Sequence, residues 1–368
     1  MAPEPYEISI PDRARADLVE RLERTRWPAQ PEGLGWELGV DIPYLRALCG
    51  HWAGAYDWRR LENRLAALEN LRWEGIHLIR RRSEGAGMPV MLVHGWPGGP
   101  IEFLELIDPL VEAGHDVIVP SLPGYAWSRD PGAPLNVAEV AGRLRALMES
   151  ALGYERYAVQ GGDWGAAISA RMAFDSPATV AAVHVNAVSV LPVPGDLAEP
   201  PPTDAEREYM ATGSRWRSRE GHHLYVQSAA PDALAVGLND SPAGLAAWLV
   251  EKYRRWSDCD GEVERRFSKD RLCDLLTMYW ATGTIASSMR LYLGERRDRW
   301  RFNEDERIGV PAAAADFPGE IVRPPREWAE RIFSDLRRWT EMPRGGHFAA
   351  LEEPELLADD LIGFLDEL

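Results

Sequence analysis

The sequence predicts an α/β architecture: a mostly parallel sheet with helices on both faces, a helical cap inserted into it, and a helical and looped meander in front. Three observations predict it. From about residue 76, short apolar runs alternate with helix-like segments, the rhythm of βαβ units. Near 190 that rhythm stops, and an aromatic-rich stretch with helical patterning runs to 307 before the strand pattern resumes at Ile308. The first 75 residues show helical periodicity and loops, with Trp27, Trp36, Trp52, Trp58 and Trp73 spread through them. So many large rings imply burial against a neighbouring unit.

The expected organisation is a meander over 1–75, a first core block over 76–195, a cap over 196–307 and a second core block over 308–368. In the meander, Pro11-Asp12 opens a helix with Ala14, Leu18 and Leu22 on one face, and Pro28 lies beyond its end. In the first core block, Ile76 to Ile79, Val90 to Val93, Val117 to Val119, Tyr157 to Val159 and Ala181 to Val188 read as strands. Phe103 to Val111 reads as a helix. Asn136-Val137-Ala138-Glu139 has the form of a capping box, opening a helix that carries Val140, Leu144, Leu147 and Met148. Leu191-Pro192-Val193-Pro194 and Glu199-Pro200-Pro201-Pro202 read as a hinge. Ile308 to Ala315 is the next strand, and Glu353 to Leu368 a closing helix that buries Leu357, Leu361 and Leu365.

Composition narrows the partners. The chain has 368 residues, with Lys+Arg 41, Asp+Glu 58 and a net charge of −17. That balance disfavours nucleic acid and anionic membrane. Cys49, Cys259 and Cys273 are widely spaced with no CxxC, so neither a disulfide framework nor a zinc site is expected. Reduced thiols in a cytoplasmic protein are the simplest reading. The N-terminus lacks the form of a signal peptide, and no apolar run approaches the roughly 18 residues of a membrane span. Asn239-Asp240-Ser241 fits a glycosylation sequon that a cytoplasmic chain would not use. No cofactor or metal is expected. The oligomeric state is open, a homodimer included.

The chemistry centres on Val159-Gln160-Gly161-Gly162-Asp163-Trp164-Gly165-Ala166. An apolar run ends in small residues, one acidic residue follows, and a helix-forming run starts at once. This is the nucleophile elbow of α/β-hydrolases, with Asp163 where serine usually sits. A carboxylate nucleophile forms an alkyl ester, by opening a strained ring or displacing a leaving group at saturated carbon. His347, in Arg344-Gly345-Gly346-His347-Phe348, is the candidate base that lets water cleave the ester. Glu320 fits the late acid that orients it, with Asp316 as the nearby competitor. The turn His94-Gly95-Trp96-Pro97-Gly98-Gly99 follows a strand. It is expected to supply one oxyanion N–H from Trp96, the second coming from Trp164. His94, just before Gly95, reads as a structural turn residue rather than a base.

The sequence resembles the microsomal-type epoxide hydrolases over almost its full length. The matching runs are Gly35-Trp36, Tyr56-Asp57-Trp58-Arg59, His94-Gly95-Trp96-Pro97-Gly98, Gly161-Gly162-Asp163-Trp164-Gly165, Asn239 to Trp248, Tyr279-Trp280-Ala281-Thr282-Gly283-Thr284 and Arg344 to Ala350. The resemblance implies an N-terminal meander clamping the cap to the core, and hydrolysis of a small-molecule epoxide to a vicinal diol. The family's membrane anchor is not found, as in a soluble bacterial-type member. In that family two cap tyrosines donate hydrogen bonds to the epoxide oxygen, and Tyr292 matches one of them. A phenol with a pKa of about 10 does this without ionising at neutral pH. At the other position, aligned on Gln227, this chain has His223, with Tyr225 two residues later. If the segment is helical, Tyr225 points about 200° away from His223; if it is extended, the two share a face. The second acid is therefore His223, Tyr225 or neither. If His223 donates the hydrogen bond, ring opening should depend on pH between about 6 and 7.

The aromatic cap favours an apolar or aromatic substrate, and the altered second acid suggests a specialised one, as in natural-product biosynthesis. The rival readings are a haloalkane dehalogenase, which shares the carboxylate nucleophile but needs indole N–H donors for halide, and a hydrolase fold retired to ligand binding. The lack of a G-x-S-x-G in the chain disfavours a serine esterase.

Overall fold

The computed structural model describes residues 2–192, 200–303 and 305–368. Its strands are β1 (Glu4–Pro5), β2 (Glu69–Trp73), β3 (Ile76–Arg81), β4 (Val90–Val93), β5 (Val117–Pro120), β6 (Tyr157–Gly161), β7 (Val180–Val185), β8 (Ala312–Asp316) and β9 (Leu336–Glu341). They form one sheet in the order β1-β2-β3-β5-β4-β6-β7-β8-β9. β1, β2, β3 and β5 pair antiparallel; from β5 to β9 every pairing is parallel. The strands β4 and β5 read VMLV and VIVP and are buried throughout, as expected for a sheet covered on both faces.

Three helices precede the core: α1 (Asp12–Glu23), α2 (Ile42–Gly54) and α3 (Trp58–Ala66). Between the first core strands lie α4 (Ile107–Glu112), α5 (Val137–Ala146) and α6 (Trp164–Asp175). The cap consists of α7 (Asp204–Glu220), α8 (His222–Ala229), α9 (Pro231–Asp240), α10 (Pro242–Arg255), α11 (Lys269–Thr282) and α12 (Ile285–Arg297). After β8 come α13 (Arg326–Ile332), α14 (Ala349–Glu352) and α15 (Pro354–Leu365). The cap is thus inserted between β7 and β8, at the carboxyl ends of the strands. α5 opens with both hydrogen bonds of its capping box, Asn136 to the Glu139 N–H and Glu139 to the Asn136 N–H, each 2.9 Å.

Four expectations need correction. The first 75 residues are not only helix and loop, since β1 and β2 join the sheet. The β2–β3 hairpin turns on Glu74-Gly75, both at positive φ (46° and 86°), and that two-residue turn is the signal the helical reading passed over. The helix expected over Phe103 to Val111 is a 3-10 turn at Pro100–Phe103 followed by α4. Pro109 lacks an N–H and fits only a first helical turn, so the helix starts late. The strand expected over Ile308 to Ala315 is confined to Ala312–Asp316, with Ile308 making a lone bridge to Phe333; Pro311 cannot donate to a ladder. The sheet also gains β9, unforeseen in sequence. Of the hinge expected at Leu191-Pro194 and Glu199-Pro202, residues 193, 194 and 199 lie outside the described residues.

The segment before β2 packs on the cap as well as on the sheet. Trp52 Nε1 donates to Thr277 Oγ1 (2.8 Å), Tyr56 Oη to Asp274 (2.7 Å) and Arg60 Nη2 to the same carboxylate (2.9 Å). No helix among the described residues is long and apolar enough to cross a membrane.

Candidate active site

Asp163 stands between the end of β6 and the start of α6, with φ of 49° and ψ of −131°. A non-glycine residue there is strained, and such strain persists only where the surroundings impose it. The neighbouring glycines do so. A β-carbon on Gly165 would strike the Val93 carbonyl, and one on Gly161 the backbone of Gly165. Strand β6 and helix α6 can therefore approach closely enough to force the sharp turn that projects Asp163.

The Trp96 N–H donates to Asp163 Oδ1 at 2.8 Å. The Trp164 N–H, expected as its companion, is not hydrogen-bonded to the carboxylate. Trp164 is the first residue of α6, where the helix itself supplies no acceptor, so its N–H stays available near the carboxylate. His94 is held entirely by backbone. Its Nδ1 donates to the Gly95 carbonyl and its Nε2 accepts from the Leu122 N–H, both at 3.0 Å. Burial pushes its pKa down to about 4, as befits a neutral turn residue.

His347 Nδ1 lies 2.8 Å from Glu320 Oε1, and its Nε2 lies 3.4 Å from Asp163 Oδ2 without hydrogen-bond alignment. Its backbone N–H donates to the Trp256 carbonyl at 2.9 Å, tying the loop to the cap. Burial opposes the imidazolium, but the Glu320 and Asp163 carboxylates outweigh it and raise His347 well above the ordinary histidine value. Glu320 Oε1 also accepts from the Ile321 N–H at 2.7 Å. Asp316, its competitor, is turned away and paired with Arg323 (2.8 Å).

Tyr292 on α12 is 5% exposed. Its ring meets Trp164 edge-on at 4.9 Å and Trp96 at 5.9 Å. Burial, then the charge of Asp163, raise the phenol well above its usual pKa, which favours its neutral form. The buried Gln227 amide, without a well-aligned partner of its own, faces this phenol.

His223 is 3% exposed, stacked on Trp96 (5.9 Å, 6°) and tilted against Trp256 (4.9 Å). Burial, together with the Lys252 charge, pushes its pKa down to about 2. Two expectations fall here. His223 does not titrate between pH 6 and 7, because the rings around it cannot solvate an imidazolium. Tyr225 is 64% exposed and cannot meet substrate oxygen, because the segment is helical and turns it outward.

A cavity of about 550 Å³ lies between cap and core, lined among others by Asp163, Trp164, His223, Trp256, Tyr292 and His347. It is of ordinary size for a small-molecule site. Among the described residues no group of His, Cys, Asp or Glu is arranged to hold a metal ion. The sequence reading missed Glu102, a buried carboxyl near Asp163. Its only local sign is an acidic residue inside the apolar run Pro100-Ile101-Glu102-Phe103-Leu104.

The sheet, the inserted cap and the carboxylate at the elbow define an α/β-hydrolase with an acidic residue in the nucleophile position. A family model of the α/β hydrolase fold matches residues 88–220, and one of the epoxide hydrolase N terminus matches residues 3–103. The chain is 37% identical to a Stigmatella aurantiaca protein that bears the epoxide hydrolase name provisionally, over 97% of this chain and 83% of that protein. It is 32% identical to epoxide hydrolase 1 of Sus scrofa, over 98% of this chain and 88% of that protein. The crystal structure of juvenile hormone epoxide hydrolase from Bombyx mori superposes with a TM-score of 0.86 at 30% identity, covering 100% of this chain and 94% of that one. The chain belongs to the epoxide hydrolase family and is an enzyme of that family.

Proposed function

We propose that this enzyme converts an apolar or aromatic epoxide to a vicinal diol in two steps, through an ester on Asp163. The observation that carries the reading is the juxtaposition, on one cavity, of a carboxylate at a strained elbow and a buried phenol that stays neutral. Asp163 Oδ2 attacks an epoxide carbon from the face opposite its C–O bond, while Oδ1 stays on the Trp96 N–H. Tyr292, with a neutral His223 as the second donor, gives a proton to the departing oxygen. His347, oriented by Glu320, then takes a proton from water, whose oxygen adds to the Asp163 Cγ. The oxyanion forms against the Trp96 and Trp164 N–H groups. Collapse breaks the Cγ–Oδ2 bond, the proton held by His347 passes to the departing oxygen, and the diol is released. The proton left on Asp163 restores the phenol, so the cycle balances.

The aromatic lining of the cavity supports an apolar substrate. The buried free thiols of Cys49, Cys259 and Cys273 support a reducing, cytoplasmic setting. A specialised substrate, as in natural-product biosynthesis, is consistent with histidine at the second donor position.

The test is intact-mass analysis of His347→Gln incubated with small aryl epoxides. The expected result is an adduct of substrate mass localised to Asp163, absent from Asp163→Ala, which also loses diol formation. No adduct, or diol formation by Asp163→Ala, would overturn the mechanism.

A further inference from the structure

Asp163 and His347 line two spaces. One is the large cavity. The other is a small chamber bounded by His94, Gly98, Glu102, Asn186, Phe348 and Ala349. It leaves about 30 Å³ for the centres of water molecules, room for one or two. Tyr292, His223 and Trp256 line the large cavity alone, and Glu102 lines the small chamber alone. The division matters for the second step. Once Asp163 is esterified, the alkyl group occupies the large cavity, which leaves the small chamber as the second space that borders both Asp163 and His347.

Glu102 is built into that side. A β-carbon on Gly98 would collide with the Glu102 carboxyl, and one on Gly95 with the Asp163 carboxyl. The two acids thus lie against one short loop, closed by the Gly98 N–H to Gly95 carbonyl bond (3.1 Å). No ion pair forms on Glu102 among the described residues. A buried acid without a cation is costly unless it serves something polar.

We propose that the small chamber holds the hydrolytic water and that Glu102 accepts one of its hydrogens while His347 Nε2 receives the other as a proton. This rests on the ester mechanism above. Water then presents a lone pair to Asp163 Cγ; a C–O bond forms, the water proton moves to His347, and its second hydrogen remains on the oxygen. Glu102 orients the attack and undergoes no net change. Burial, then the nearby Asp163 charge, push the Glu102 pKa up to about 8, while His347, the Gly99 N–H and Arg271 pull against them. Esterification removes the Asp163 charge, which favours an ionised, better-accepting Glu102 at the stage when water must be aligned.

The experiment is rapid-quench kinetics on Glu102→Gln and Glu102→Leu, with the ester fraction read by intact mass. Ring opening should stay within about threefold of wild type in both. Ester hydrolysis should fall by about 10- to 100-fold in Glu102→Leu and by less in Glu102→Gln, which keeps an acceptor oxygen. Ester should then accumulate at steady state. Hydrolysis at the wild-type rate in both variants, or equal slowing of both steps, would overturn the assignment of Glu102 alone. Failure of His347→Gln to form any ester would instead remove the mechanism on which it stands.

Discussion

At the residue scale, the site works by controlling which groups carry charge. Asp163 accepts one backbone N–H, from Trp96, and lies beside one imidazole. Tyr292 and His223, on the side where an alkoxide would develop, are both kept neutral by burial among Trp96, Trp164 and Trp256. A neutral donor loses nothing to desolvation before the reaction and gains as charge appears on the substrate oxygen. Tyr292→Phe should therefore slow ring opening by about 10²- to 10³-fold, while Tyr225→Phe should leave it unchanged. His223→Asn should lower the rate without altering the shape of the pH profile, since His223 does not titrate there. Single-turnover traces from pH 5 to 9 check all three, and an inflection that vanishes in His223→Asn would count against a permanently neutral His223.

At the element scale, the register of one short helix decides what the cap offers. α8 follows α7 almost directly. Its His223 and Gln227 are four residues apart and share the inward face, while Tyr225 is turned out. On the opposite side of the core, Asp360 of α15 holds β7 and β9 together. It accepts from His184 Nε2 (3.0 Å), Arg338 Nε (2.7 Å) and Thr340 Oγ1 (2.6 Å). Burial opposes its charge, but these partners outweigh it and lower its pKa from 3.8 to about 2. A depressed carboxylate contributes stability above its unfolded pKa and loses it as pH falls through the folded value. The wild type should thus lose stability between about pH 4 and pH 2. Asp360→Asn should lower stability at neutral pH by about 2 kcal/mol and flatten that part of the acid limb. Urea unfolding across this pH range measures both, and an unchanged acid limb would refute the role of Asp360.

At the scale of the whole molecule, the N-terminal segment reaches from the edge of the sheet to the cap. Asp274 of α11 is the meeting point, 2% exposed at its side chain and bound by Tyr56 and Arg60. His51 and Trp52 reach the same helix through Asp270 (2.6 Å) and Thr277. Among the described residues the cap has no strand in the sheet, so contacts of this kind hold it above Asp163. Asp274→Ala strands the buried Tyr56 hydroxyl and should cost about 2 kcal/mol, with faster limited proteolysis between cap and core. Wild-type unfolding and cleavage rates would show that these contacts do not fasten the cap.

The features legible in the sequence are those whose causes are local. The elbow around Asp163 is written in glycine spacing, because close approach of β6 and α6 demands small residues at fixed offsets. The capping box of α5 and the alternation of strands and helices are likewise short-range, and the chain order of acid and histidine narrowed the partners of Asp163 to a few positions. That Glu320 meets His347 while Asp316 pairs with Arg323 is a matter of tertiary contacts. Whether His223 or Tyr225 faces the cavity depended on the register of α8, and the pairing of β1 and β2 with the core on hydrogen bonds between distant residues. The neutrality of His223 and the chamber beside Glu102 appear only in three dimensions, because the cost of a charge is set by everything that surrounds it and not by its neighbours along the chain.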